Sequence, residues 1–260
     1  CNLCGKTALD GKPLGSHRRD YKVDMRRGGP PPKHQCNGTF ESVYLGYSFT
    51  SDTLLLQLPV RAPFRFDARA KRDRQPLSDA LQSLCDALVI AIGRTLDIDT
   101  REINSGYRFI RRGDEHFADI FVYDTLSGGA GYATQAGQVF AQVFESAEKL
   151  LGSCSCSSSC DKCLRHYGNR FHHESLDRFL ALDLARFIRD GRAPELYTKE
   201  RQRAELQPIV QLLTLAGWTI ESSGEVPVVA KLGPAVHRLS AIPSLIDPIA
   251  TGFSAANNSS

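Results

Sequence analysis

Four cysteines within ten residues constrain this chain more than any other feature of its sequence. Residues 154–163 read Cys-Ser-Cys-Ser-Ser-Ser-Cys-Asp-Lys-Cys, with the spacing C-x-C-x3-C-x2-C. A C-x2-C pair can direct two sulfurs of one tight turn at a single ion, and the two upstream thiols are near enough to complete a tetrahedral set. Four thiolates without an open position favour a structural metal over a catalytic one, which keeps a place for water. The pattern predicts a closed zinc site on Cys154, Cys156, Cys160 and Cys163.

Three other interpretations of these cysteines are open at the level of sequence. Two disulfides would require an oxidising compartment, to which nothing in the chain points. A C-x-x-C redox pair belongs to a thioredoxin-like βαβ context, and the additional Cys-Ser-Cys does not fit that context. An iron–sulfur cluster also takes four cysteines and is chemically possible. Ligand type and spacing favour zinc over all three.

Composition places the chain among ordinary globular proteins. It has 260 residues, of which 42% are hydrophobic and 23% charged, and its net charge of +3 is too small to indicate nucleic-acid binding by itself. No apolar run approaches the roughly 20 residues of a membrane helix, so we expect no membrane partner. Seven of the eight cysteines have ligand-like spacings, which favours a reducing, cytoplasmic location. The chain opens on Cys1 without a methionine, so we expect a fragment of a larger protein.

A second zinc site is predicted near the start of the chain. Cys1-x2-Cys4 resembles a rubredoxin-type turn, and His34-x-Cys36 would supply the other half across a loop rich in glycine and proline. His17 is an alternative to His34 as the fourth ligand. A basic terminus with unpaired thiols is the competing interpretation. We therefore expect one zinc ion and allow for two.

Hydrophobic periodicity predicts an α+β fold, with a small mixed or antiparallel sheet, flanking helices and two zinc-stabilised turns. Strands are predicted at 42–49, 53–60, 107–110, 117–123, 217–221 and 226–229. Helices are predicted at 77–96, 133–150, 175–188 and 202–216. The expected organisation is a zinc knuckle, a zinc-binding domain, a helix with short strands, and a loosely packed or disordered tail, over 1–38, 39–192, 193–232 and 233–260.

A glycine-rich turn joins a predicted strand to a predicted helix at Gly128, Gly129 and Gly131. Such a turn can bind an anion, because the first N–H groups of a helix are free donors. Its spacing fits neither the Walker A motif nor the dinucleotide-binding fingerprint. Close packing of the strand on the helix is the simpler explanation for the glycines, and Asp124 would then brace the turn.

Basic and aromatic residues form two candidate nucleic-acid contacts. After the cysteine cluster, Arg165, Tyr167 and Arg170 could grip phosphates and stack on bases. The segment 61–74 carries six basic residues, among them Arg61, Arg65 and Arg69. Each set has a plainer interpretation, because basic runs are commonly solvated faces and the three histidines near the cluster could hydrogen-bond around the zinc turn.

The order of these blocks resembles a known family. "YLGYSFTSDTLLLQL", a long apolar helix, "IFVYDTLSGGAGYA" and "CSCSSSCDKCLRHYGNRFHHESLDR" are similar to the MrfA zinc-binding (MZB) domain, over roughly residues 36–190. This domain occurs at the C-terminal end of superfamily 2 DEAD/DEAH-type helicases and in DISARM-like phage-defence proteins. The resemblance assigns the family's four metal-binding cysteines to residues 154, 156, 160 and 163, and its glycine-rich turn to residues 128–131.

The resemblance implies an accessory domain that works with an ATP-driven DNA translocase, in phage defence or DNA repair. No complete helicase ATP-binding motif appears in the chain, so ATP would bind only in a parent helicase, either upstream in cis or as a separate subunit. DNA is then the expected ligand. We expect no enzymatic activity from this chain alone, because no nucleophile–base pair or open metal site stands out.

A different hypothesis is a protein-interaction scaffold of a helicase-associated defence complex, without direct DNA contact. Tyr44, Tyr47, Phe64 and Phe66 could then form an apolar contact patch. An electrophoretic shift assay discriminates the two hypotheses, since only the first expects DNA binding at low salt.

Overall fold

The computed structural model describes residues 17–18, 35–36, 39, 48–66, 75–222 and 227–248. The chain divides into two compact units, Cys1–Phe49 and Thr50–Ser260. In the first unit, the short strands β1 (His17–Arg18) and β2 (Gln35–Cys36) pair antiparallel, with His17 opposite Cys36. The remaining helices and strands belong to the second unit.

The second unit is a mixture of helices and antiparallel strands, as the periodicity predicted. Its strands are β3 (Thr53–Pro59), β4 (Ile103–Arg112), β5 (Glu115–Asp124), β6 (Thr219–Glu221), β7 (Val228–Leu232) and β8 (Ala235–Leu239). Its helices are α1 (Pro76–Leu96), α2 (Tyr132–Gln138), α3 (Phe140–Ser153), α4 (Arg178–Asp190) and α5 (Lys199–Leu215). Two 3₁₀ turns lie at Thr100–Glu102 and Tyr167–His172. The expected α+β class is confirmed.

Strands β3, β5 and β4 form an antiparallel sheet with the long β5 in the middle. The register pairs Gln57 of β3 and Arg108 of β4 with Asp119 of β5. The side chains of Ala118, Ile120 and Val122 alternate with these positions and are buried. The sheet therefore presents one apolar face to the helices and one more polar face outward.

Helix α1 is the centre of the core. Proline occupies its first turn, and Asp97 ends it in the left-handed conformation. It packs against the sheet and against α3 and α4, so fourteen of its residues are buried. Helix α1 is also long and apolar enough to span a membrane by length and composition, but it is largely enclosed by protein.

The predicted helix 133–150 is interrupted. Helix α2 ends at Gln138 and α3 begins at Phe140, because Val139 leaves helical geometry at φ −110° and ψ 26°. The hydrophobic spacing runs through both helices, so the pattern did not reveal the break. The break lets α2 pack on β3 and β5 while α3 packs on α1.

The C-terminal part is more ordered than we expected. Strands β6, β7 and β8 form a second antiparallel sheet that packs against α5, and β8 was not predicted. Leu245 and Ile246 are buried, and Ile246 forms an isolated bridge with Phe64. The range 235–248, for which we expected loose packing, thus contains a strand and buried residues. Val236 and His237 are both exposed, so buried and exposed residues do not alternate regularly along β8. The sequence therefore lacks the alternating pattern from which a strand is predicted.

Candidate metal centre

The four cysteines predicted to bind zinc lie together, and their sulfur atoms are all within 4.8 Å of one another. Sulfur–sulfur distances are 3.5 Å from Cys154 to Cys156 and to Cys160, and 3.7 Å from Cys163 to Cys156 and to Cys160. A tetrahedron with zinc–sulfur bonds of about 2.3 Å has edges of about 3.8 Å. The donor set and its spacing thus fit a tetrahedral zinc ion.

Backbone geometry explains why the C-x2-C turn can hold two sulfurs on one side. The N–H groups of Cys163, Leu164 and Arg165 all donate to the carbonyl oxygen of Cys160, at 3.0, 3.1 and 3.0 Å. The N–H of Cys160 points at the sulfur of Cys163 at 3.2 Å. Donors aimed at a thiolate stabilise its negative charge, which suits a metal ligand.

Without a metal ion, these sulfurs would not all be ionised. Burial raises the pKa of the Cys163 thiol to about 12. A hydrogen bond with the Cys156 backbone, together with bonds from neighbouring thiols, lowers the pKa of Cys154 to about 7. Binding of a divalent ion must therefore displace protons, at Cys163 above all.

A buried arginine connects the metal turn to the rest of the fold. Arg178, at the start of α4, donates from Nε and Nη2 to the carbonyl oxygen of Cys156 at 3.0 and 2.9 Å. Its Nη1 donates to the carbonyl oxygen of Leu151, near the end of α3, at 3.1 Å. The two helices and the metal turn thus meet at one guanidinium group. The sequence did not predict this bracing role, because nothing local distinguishes Arg178 from the neighbouring arginines.

The 3₁₀ turn Tyr167–His172 follows the metal turn directly and is organised around Asn169, which is buried. The Asn169 side chain donates to the carbonyl oxygen of Leu164 at 2.8 Å and accepts from the N–H of His166 at 2.9 Å. His166 Nδ1 in turn accepts from the N–H of Gly168, and His173 Nε2 lies 3.0 Å from the Asn169 side-chain oxygen. These two histidines have structural roles, as the plainer interpretation anticipated.

The same turn exposes a stack of two rings and one cation. Tyr167 and Phe171 are each 81% exposed. The guanidinium carbon of Arg170 lies 4.2 Å from the ring centre of Tyr167 and 4.3 Å from that of Phe171. Two exposed rings on either side of a cation form a candidate contact surface. The sequence predicted Tyr167 and Arg170 as contact residues, and Phe171 completes the stack.

The other predicted nucleic-acid residues are placed differently. Arg165 is half-buried, and its Nε donates to the hydroxyl of Ser159 at 2.9 Å, so it braces the metal turn. Arg61 and Arg65 follow β3 and are exposed. Strand β3 forms one edge of the sheet, and β4 forms the other edge. No contact among the described residues joins them to the Tyr167 turn. Arg69 lies outside the described residues.

The apolar patch expected under the scaffold hypothesis is not found where the structure can be described. Phe64 is buried and packs edge-on against Phe187, with ring centres 4.5 Å apart. Phe66 is half-buried and packs against Phe109. Both rings belong to the core, while Tyr44 and Tyr47 lie outside the described residues.

The glycine-rich turn after β5 is closed by the chain's own carboxylate. Asp124 is fully buried and accepts from the N–H groups of Ala130, Tyr132 and Ala133, at 2.6, 3.1 and 2.8 Å. The N–H groups of Gly128 and Gly129 donate to carbonyl oxygens at 2.8 and 3.0 Å. These five donors are therefore unavailable to an external anion, and the geometry supports the bracing role of Asp124.

The predicted N-terminal zinc site lies largely outside the described residues. Cys1, Cys4 and His34 are among the residues not described. Of the other candidates, Cys36 is buried in β2 and His17 lies opposite it in β1. The second zinc ion, and the choice between His17 and His34, stay predictions.

Asp79, in the first turn of α1, is half-buried near the Tyr167–His172 turn. Burial, reinforced by the charge of Asp177, raises its pKa from 3.8 to about 6. The folded state therefore binds this proton more tightly than the unfolded state, and stability falls as pH rises from about 4 to about 6.

We expect Asp79→Asn to raise the free energy of unfolding at pH 7.5 by about 1 kcal/mol, after discounting for solvent screening of a half-exposed group. At pH 4 the gain should vanish. Urea unfolding at both pH values measures the difference. An equal effect of the substitution at both values would show that the carboxyl titrates normally.

Comparison with known proteins now places the site in a family. Residues 84–164, which include all four ligand cysteines, match the MrfA Zn-binding domain. The uncharacterized protein MJ1572.1 of Methanocaldococcus jannaschii is 34% identical over 95 residues, which cover 33% of this chain and 78% of that protein. The chain belongs to the MrfA Zn-binding domain family.

A longer relative matches nearly the whole chain. The Druantia protein DruE of Escherichia coli (strain UMEA 4076-1) is 33% identical over 239 residues, which are 90% of this chain and 13% of DruE. Crystal structures of the DUF1998 helicase MrfA bound to DNA, and bound to DNA and AMPPNP, align with 47% and 58% of this chain. Their TM-scores are 0.36 and 0.39, their identities 20% and 15%, and the aligned parts cover 15% and 18% of the MrfA chains. These two alignments are too weak to support a structural argument.

Proposed function

We propose that the chain is a zinc-stabilised accessory domain of an ATP-dependent DNA helicase or translocase, and that it grips or guides a nucleic-acid strand. The exposed stack of Tyr167, Arg170 and Phe171 carries this proposal. Aromatic rings stack on any base, and an arginine between them adds attraction for the phosphate backbone. The metal turn and Asn169 hold the stack in place, so a strand would meet a preformed surface.

Family membership supports the association with a helicase, since the family is named for MrfA, and MrfA is a helicase that has been crystallised with DNA. The chain spans 13% of DruE, so a motor could lie elsewhere in a longer protein. Gly5-Lys6-Thr7 matches only the last three positions of the G-x4-G-K-[ST] motif. We therefore assign ATP hydrolysis to a helicase core, in cis or in a partner subunit, that serves phage defence or DNA repair.

Arg170→Ala tests the stack directly. Compared with the natural chain, we expect the variant's dissociation constant for a fluorescent 12-nucleotide single strand to be about tenfold higher. The slope of log affinity against log salt should flatten by about one. Fluorescence anisotropy at several salt concentrations measures both. Arg238→Ala is the matched control, because it removes the same charge from an exposed position on β8.

Unchanged affinity and salt slope in the Arg170→Ala protein would remove the stack from the interface. A loss of affinity equal to that of Arg238→Ala would show only a nonspecific charge effect. Thermal unfolding of both variants establishes that the folded fraction is the same.

The scaffold hypothesis is supported by a different surface. Helix α5 exposes Ile209, Leu212 and Leu215 by 48%, 67% and 86%, at three-residue intervals that place them near one another. Exposed apolar rows of this kind commonly contact other proteins. Absence of single-strand binding at 50 mM salt, where phosphate contacts are strong, would favour this second function.

A further inference from the structure

A groove runs along α1 beside the exposed stack. Residues of α1 form its floor, β4 forms one wall, and the Tyr167–His172 turn forms the other. It consists of two cavities of about 690 and 570 Å³ that share Gln82 and His172. We call it the α1 groove.

The floor of the α1 groove carries buried polar atoms with incomplete hydrogen bonding. Ser78 is 2% exposed, and its hydroxyl has no hydrogen-bond partner among the described residues. Asp86 is 7% exposed, and its Oδ2 accepts from Gln82 at 3.1 Å. Its Oδ1 lies 3.6 Å from Nε2 of His166, which is too long for a direct hydrogen bond. Buried polar atoms normally find partners, so this floor is suited to a ligand that donates hydrogen bonds.

Charge decides which part of a strand can enter. The groove is lined by the carboxylates of Asp79, Asp86 and Glu174, none of which has a cationic partner of lysine or arginine in the described part of the chain. Arg101 also lines it, but its guanidinium is paired with Asp99 at 2.6 Å. Phosphates would be repelled from this floor. Bases are uncharged, and their amino groups can donate to a carboxylate, as cytosine N4 does to acidic side chains.

We propose that the α1 groove binds bases of a single strand with their edges inward, and that Asp86 selects bases that carry an exocyclic amino group. The phosphates then lie outside, toward Arg170, while Tyr167 and Phe171 offer ring faces at the rim. This inference rests on the proposed nucleic-acid function and adds a base preference to it. Thymine has no exocyclic amino group and should bind the groove more weakly than cytosine or adenine.

The test compares labelled dC12, dA12 and dT12 by anisotropy at pH 7.5 and fixed salt. We expect dC12 and dA12 to bind about fivefold or more tightly than dT12, in line with a single base contact. Asp86→Asn keeps the side-chain volume but replaces one acceptor by a donor, so the preference for dC12 over dT12 should fall, whereas dA12 can still pair with the asparagine amide. Asp114→Asn, a fully exposed carboxyl on the β4–β5 turn, is the matched control and should leave the preference intact.

The outcomes separate this inference from the proposed function. Binding of all three strands with equal affinity, unaffected by Asp86→Asn, would overturn the base preference and leave the proposed function standing. No binding of any strand would overturn both. A deca-arginine peptide provides a further test. If it binds the natural chain but not the Asp86→Asn protein, and does not compete with the DNA strands, the groove is assigned to a cationic peptide instead. Equal melting temperatures of the two variants would confirm that the comparison concerns binding.

Discussion

Replacing Cys163 by serine is expected to abolish zinc binding and to yield insoluble or molten protein instead of a folded, inactive domain. Cys163 and Leu164 are buried in the hydrophobic core, and the other three ligand residues pack against it. Structural zinc contributes about 10–16 kcal/mol of apparent binding free energy in small zinc domains, which exceeds the stability of many whole domains. The metal turn cannot form its part of the core without that contribution.

Elemental analysis of the purified protein and near-ultraviolet circular dichroism measure this effect. Cys85→Ala is the matched control, since Cys85 is a fully buried cysteine of α1 that does not belong to the ligand set. We expect that variant to keep one zinc ion per chain and to lose about 1–2 kcal/mol of stability. A Cys163→Ser protein that unfolds cooperatively at normal yield would contradict a folding role for the metal.

The second large effect is expected at Asp124. Asp124→Ala would leave three backbone N–H groups of the glycine-rich turn without their acceptor, of which the bond from Ala133 is buried and the other two are partly buried. An unsatisfied buried donor costs about 1–3 kcal/mol, so the total loss should be about 4 kcal/mol. Asp124→Asn keeps one acceptor and should lose about half as much.

Urea unfolding gives the loss of stability, and amide hydrogen exchange at Ala130, Tyr132 and Ala133 locates it. Exchange at these three amides should accelerate more than exchange in β7, which lies in the other sheet. A small loss of stability with unchanged exchange would mean that the turn is held by packing alone. Asp114→Ala provides the comparison for an exposed carboxyl.

The sequence predicted those elements whose structure depends on residues close to one another in the chain. The apolar spacing over 77–96 predicted α1 because every core-facing position recurs at three or four residues. The cysteine spacing predicted the metal turn because its ligands are contributed by ten consecutive residues. The strand at 53–60 was visible for the same reason, since it is short, apolar and bounded by turn residues.

What the sequence could not provide depends on contacts between distant residues. Arg178 bonds to carbonyl oxygens 22 and 27 residues earlier, and no spacing rule connects these positions. Asp86 was hidden among the polar residues of an amphipathic helix and became notable only when β4 and the 3₁₀ turn enclosed it. The break at Val139 likewise arises because two parts of one apolar pattern pack on different elements.

The position of Arg178 gives the metal a second role in the stability of the fold. Four thiolates around a zinc ion carry a net charge of −2, and the buried guanidinium is bonded to the backbone of one ligand residue. Among the described residues, Arg178 pairs with no carboxylate. Demetallation would return protons to thiols such as Cys163, whose pKa burial raises to about 12. The enclosed cation would then lose its counter-charge, so chelation would create an electrostatic defect between α3 and α4 in addition to removing a cross-link.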